Sequence, residues 1–110
     1  MENAKIKVII KRPDEKVGHV TNISNTLKNL QRTVDGLIET VTVAEGCVCI
    51  CNEEGKIRQL QPNFWLGTIF PDRICGTTII AGTDGENFTD VPFDMAVWKK
   101  LLKMWGNNIE

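Results

Sequence analysis

The chain has 110 residues, with 13 Lys+Arg against 14 Asp+Glu and one His; 42% of residues are hydrophobic and 25% charged. That length suits a single domain, residues 1–110, because two separate cores would each bury too little surface, and so average a composition excludes disorder. A formal net charge of -1 removes the electrostatic drive for binding double-stranded nucleic acid, and apolar runs as short as Val8-Ile9-Ile10 exclude a membrane helix, which needs roughly 20 residues.

Met1 to Lys5 lacks the apolar stretch of a signal peptide, so a cytoplasmic location is expected. Lys5 to Lys11 alternates and is rich in β-branched residues, the pattern of a strand. Arg12-Pro13-Asp14-Glu15-Lys16 is a polar turn, and Val17 to Thr21 returns as the second strand of a hairpin. Leu27, Leu30 and Val34 recur at i, i+3 and i+7, which predicts an amphipathic helix over residues 23–34. Ser24 or Asn25 would cap its start and Gly36 its end.

Leu37 to Val43 is again strand-like. In Cys47-Val48-Cys49-Ile50-Cys51, residues two apart share a face, so three thiols point one way. Their Cα atoms would lie about 6.5–7 Å apart, at the upper limit for a disulfide. Zinc normally takes two Cys-x-x-Cys turns or a His pair, and neither is present. These cysteines are therefore read as small buried hydrophobes on a central strand, with no metal and no cofactor. Asn52 to Gly55 is a turn, and Lys56 to Leu60 is predicted as a further short strand. Gln61 to Arg73 is read as irregular, punctuated by Pro62, Gly67 and Pro71. Ile74 to Ala81 resumes strand character, and residues 82–87 turn.

Asp90 reads as the N-cap of a final helix, with Val91, Met95, Trp98, Leu102 and Trp105 along one face and Gly106 as its stop. About 14 residues would span about 21 Å, enough to cross four strands. The expected fold is α+β, a mixed or largely antiparallel sheet of five to six strands with two helices packed on it. Its core should include Leu27, Leu30, Cys49, Ile79, Met95, Trp98 and Leu102.

The succession Asn25-Thr26-Leu27-x-x-Leu30-Gln31, Val34-x-Gly36-x-Ile38-Glu39, Cys51-Asn52-Glu53-Glu54-Gly55-Lys56, Pro62-Asn63 and Ile80-Ala81-Gly82-Thr83 resembles a bacterial family from about Lys5 to Leu102. This is domain of unknown function 3846, found in phages, plasmids and gut Firmicutes. The resemblance implies a small protein of mobile elements, often encoded beside anti-restriction or defence genes. It supplies no catalytic residues. The chain departs from it at Phe64-Trp65-Leu66 and in the extra Cys47 and Cys49.

Catalytic motifs are missing from the sequence. His19 has no sequence-adjacent partner, Ser24 lacks a nucleophile elbow, and Glu53-Glu54 and Asp84-Gly85-Glu86 read as solvated turns. The chain is therefore expected not to be an enzyme. Phe64, Trp65 and Phe70, flanked by Arg58, Asn63 and Arg73, form either core or an interface: a ring could stack a base while guanidinium groups take phosphate. Arg58, Asn63, Trp65 and Arg73 are thus the candidate ligand-binding residues. The partner would be a small nucleotide-like ligand or a host defence protein. A structural or regulatory module that pairs through a sheet edge is the alternative, with a nucleotide-processing enzyme behind it. A homodimer is expected, its seam built by Phe64, Trp65, Phe70, Met104 and a Trp105 that reaches past its own domain.

Overall fold

The computed structural model describes residues 5–110; Met1 to Ala4, which carry most of the leader reading, lie outside them. Its strands are β1 (Lys5–Lys11), β2 (His19–Ser24), β3 (Ile38–Ala44), β4 (Cys47–Asn52), β5 (Pro62–Leu66), β6 (Asp72–Cys75), β7 (Thr78–Thr83) and β8 (Phe88–Thr89). Helix α1 (Leu27–Val34) follows β2, and α2 (Met95–Met104) follows β8. The main sheet runs β2-β1-β7-β4-β3 with β8 beside β7, and every pairing is antiparallel. The class is α+β, and β5 and β6 form a separate hairpin.

Strands β1, β7 and β4 carry long apolar runs because both faces of the sheet are covered. On one face, Val8, Ile10, Val48, Ile50 and Ile79 pack beneath Leu30 and Val34 of α1. On the other, Ile9, Cys49 and Ile80 lie under the β5–β6 hairpin and under Trp98 and Leu102 of α2. The two helices therefore sit on opposite faces. Alternation along β4 places Cys47, Cys49 and Cys51 together on the second face as free, buried thiols. Burial pushes Cys47 up to about 11. Among the described residues, no three His, Cys, Asp or Glu side chains gather to hold a metal.

Several boundaries shift for identifiable reasons. Ser24 ends β2, and α1 is capped by Thr26, whose hydroxyl accepts from the Asn29 amide at 3.1 Å. Asn25 instead donates to the Phe88 carbonyl at 3.0 Å. Asp35, one residue before the expected Gly36, takes the left-handed conformation that closes α1, with φ 65°. Leu27 falls in the first turn and is 58% exposed, a correction to the expected core; Met95 is half-buried. Asp90 does not cap α2. Its carboxylate accepts from the Lys7 amide at 2.8 Å and Val91 donates to the Lys7 carbonyl, so this segment extends alongside β1. Asp94 caps α2, accepting from Val97 at 3.0 Å. Asp94→Ala is expected to cost about 1 kcal/mol by thermal denaturation, whereas Asp90→Ala should leave the helicity of α2 unchanged.

Lys56 to Leu60 is not a strand. The Asn52 side chain accepts from the Glu54 amide, Arg58 donates to the Glu54 carbonyl, and Leu60 to the Gly55 carbonyl. Local turn bonds satisfy the backbone there, overriding the alternation of Ile57 and Leu60. Gln61 to Arg73 is not irregular, because Pro62 starts β5, where a missing amide is tolerated, and Gly67, with φ 98°, opens the turn into β6.

Candidate functional site

Strands β5 and β6 pair Trp65 with Arg73 and Leu66 with Asp72. Their two-residue period turns Phe64, Leu66 and Ile74 into the core and leaves Trp65 and Arg73 on the outer face. There the Arg73 guanidinium lies 4.9 Å from the centre of the Trp65 ring, a cation–π stack across the strand pair. Trp65 is 40% exposed. The turn beyond Gly67 presents Ile69, 82% exposed, and Phe70, 91% exposed, at the end of the hairpin.

The hairpin is anchored on one side and open on the other. After α2, the Asn107 side chain accepts from the Trp65 amide at 2.9 Å and donates to the Trp65 carbonyl at 2.8 Å. One side-chain amide thus substitutes for a neighbouring strand at the outer edge of β5. Among the described residues, β5 is the single strand partner of β6. Beside β6 lies a cleft of about 250 Å³, walled by Glu39 and Val41 of β3, Cys51 of β4, Ile57 of the following turn, and Arg73 and Cys75 of β6. At this cleft Lys56 binds the Asp72 carboxylate at 2.7 Å, which holds the Lys56 ammonium above its usual pKa. The neighbouring thiol of Cys49 holds Cys51 below the ordinary thiol value, while Cys51 and burial together push Cys49 up.

The four residues singled out from the sequence do not share one cavity. Trp65 and Arg73 come together as expected of an aromatic shelf beside an arginine. Arg58 closes the end of α1 instead, donating to the Asp35 carbonyl at 2.7 Å and to its carboxylate at 3.2 Å. Asn63 is an internal brace, donating to the carbonyls of Lys11 and Gly76 and accepting from the Lys11 ammonium. The expected dimer seam also loses members. Trp105 stacks on Phe64 at 6.4 Å and meets Trp98 edge-on at 5.8 Å, so both Phe64 and Trp105 belong to the protein's own core. Met104 stays exposed.

Sequence reasoning missed two exposed aliphatics, Ile69 in the turn beside Phe70 and Ile57 in the wall of the cleft that Arg73 also lines. Their signal was present: each is a large apolar residue inside a turn. His19 gains a partner that the sequence did not reveal, Glu15 at 2.8 Å. Burial would raise the Glu15 pKa, but bonds from the Arg12 amide and from His19 hold it below the usual carboxylate value. No helix among the described residues is long and apolar enough to cross a membrane.

No curated protein and no solved structure matches the chain. A family model described as a domain of unknown function, DUF3846, matches residues 6–106, nearly the whole length, and the chain belongs to that family.

Proposed function

We propose that the protein is a non-catalytic binding protein that engages a partner protein through the outer face and tip of the β5–β6 hairpin. The observation that carries this reading is the exposure of Ile69 and Phe70 at the end of a braced hairpin, beside Trp65 and Arg73. Large apolar side chains grouped with Trp and Arg have the composition of interface anchors. Full burial of Ile69 and Phe70 alone would contribute about 3–6 kcal/mol before the costs of association. A host defence protein blocked in the cytoplasm by the product of a phage or mobile element is the partner that the family setting favours.

The nucleotide reading draws on the same ring, yet Arg73 already occupies one face of Trp65. A base would have to displace that guanidinium or take the other face. Self-association through the same patch would appear as a mass above that of one chain in light scattering at micromolar concentration.

The test presents wild type, Trp65→Ala/Phe70→Asp and Leu27→Ser as baits to one host extract, with quantitative mass spectrometry of what each retains. A protein retained by wild type and Leu27→Ser, but reduced at least tenfold by the hairpin double variant, supports the proposal. Equal retention by all three baits overturns it. So does calorimetric binding of a nucleotide that Trp65→Ala abolishes, which would reassign the surface to a small ligand.

A further inference from the structure

Lys11 ends β1 with its side chain almost wholly inside the protein, 3% exposed. Buried charges are ordinarily paired with an opposite charge. The Lys11 ammonium donates instead to two neutral oxygens, the Glu15 carbonyl at 2.6 Å and the Asn63 side chain at 2.7 Å, and it lies 5.7 Å from the centre of the Phe64 ring. Among the described residues no carboxylate comes within ion-pair distance of it. The nearest candidate, Glu15, is committed elsewhere, to His19 at 2.8 Å and to the Arg12 amide at 2.9 Å. An ammonium has three protons, so one has no partner among the described residues.

Lys11 forms part of the wall of a second cleft, of about 410 Å³, between the β1–β2 turn, the start of β5 and the segment that follows α2. That volume falls in the range of small-ligand sites. Besides Lys11, the cleft has two donors with no partner among the described residues: the Lys16 ammonium and the Asn108 side-chain nitrogen. Asp14 and Glu15 also line it, and they set a limit on the charge of a ligand: a single negative group fits, a polyanion does not. The other amides of the wall, Asn63 and Asn107, are consumed in bracing β5, which makes the cleft rigid rather than reactive.

We propose that this cleft binds a small molecule carrying one carboxylate or phosphate group, which supplies the counter-charge that the fold withholds from Lys11 and is gripped by Lys16 and Asn108. The site is separate from the outer face of the β5–β6 hairpin and stands without it. Burial lowers the Lys11 pKa while Glu15 and Asp14 pull it part of the way back, and a bound anion would raise it further towards its ordinary value.

The experiment titrates inorganic phosphate and, separately, acetate into the ¹⁵N-labelled protein at low ionic strength, following amide resonances. Saturable shifts centred on residues 14–16, 63 and 107–108 are expected with at least one anion, and the stronger of the two identifies the head group. Lys11→Met should abolish saturation, and Lys16→Ala/Asn108→Ala should weaken the stronger anion at least tenfold while leaving the spectrum of the folded core in place. Should Lys11→Met fail to fold, the double variant alone decides. Trp65→Ala/Phe70→Asp should bind the anion as wild type does. Shifts spread over every lysine, no saturation with either anion, or unchanged affinity in the double variant would overturn the site.

Discussion

Replacing Trp98 with alanine is expected to lower stability by about 4–6 kcal/mol, a large share of the roughly 5–15 kcal/mol that holds a folded protein together. Trp98 is fully buried, with Phe64 edge-on at 5.6 Å, Phe93 stacked at 6.4 Å and Trp105 edge-on at 5.8 Å. Removing the indole opens a cavity among rings that cannot collapse into it, which costs about 3–5 kcal/mol. Its Nε1 also donates to the Val17 carbonyl at 2.8 Å, and that acceptor would lose its partner, adding about 1 kcal/mol or more. Trp98→Phe separates the two contributions. It keeps most of the ring and should cost only the hydrogen bond plus a small cavity, about 2 kcal/mol. Urea denaturation checks both, and an alanine variant with an unchanged midpoint would show that α2 does not pack on this sheet.

What the sequence made visible were the elements whose pattern is local. Strands β1 and β4 could be read because burial on two faces needs unbroken apolar runs, and α2 because Trp98, Leu102 and Trp105 repeat at helical spacing. The single strand expected over residues 74–81 is instead split at Gly76, with φ 83°, between β6 and β7. The direction of the three thiols followed from the two-residue period alone. The β5–β6 hairpin was hidden because its punctuation reads two ways. Pro62 and Gly67 look like breaks, and they are also what starts a strand and turns it. Lys56 to Leu60 was misread for the opposite reason: its alternation is genuine, but Asn52 closes a turn that competes for the same backbone donors. Helix α2 begins four residues late because Asp90 and Asp94 are equivalent as caps in sequence, and only the position of Lys7 in space decides between them. The candidate site divides in the same way. Trp65 and Arg73 meet because they are cross-strand neighbours, whereas the roles of Arg58 and Asn63 depend on Asp35 and Lys11, 23 and 52 residues away in the chain.

Asn63 gives the second large effect. Its nitrogen donates to the carbonyls of Lys11 and Gly76, both at 2.8 Å, and its oxygen accepts from the Lys11 ammonium at 2.7 Å. Asn63→Ala would take the side-chain donor from the Gly76 carbonyl, leave the Lys11 carbonyl only a longer bond from the Thr78 hydroxyl at 3.3 Å, and take from a buried ammonium one of its two oxygen partners, so a loss of about 3–5 kcal/mol is expected. A ligand-contacting residue that had no part in folding would cost almost nothing on the same substitution, within about 0.5 kcal/mol. Asn63→Asp sharpens the distinction. A carboxylate would give Lys11 the charged partner that it lacks, which taken alone is favourable. The same carboxylate cannot donate, however, and its second oxygen would face the Lys11 and Gly76 carbonyls across hydrogen-bond distance. Two repulsive contacts against one improved pair should leave Asn63→Asp about 2 kcal/mol or more below wild type, measured by urea denaturation with an unchanged slope. An aspartate variant as stable as wild type would mean that the acceptor for the ammonium, and not the donors to the two carbonyls, is what this position must supply.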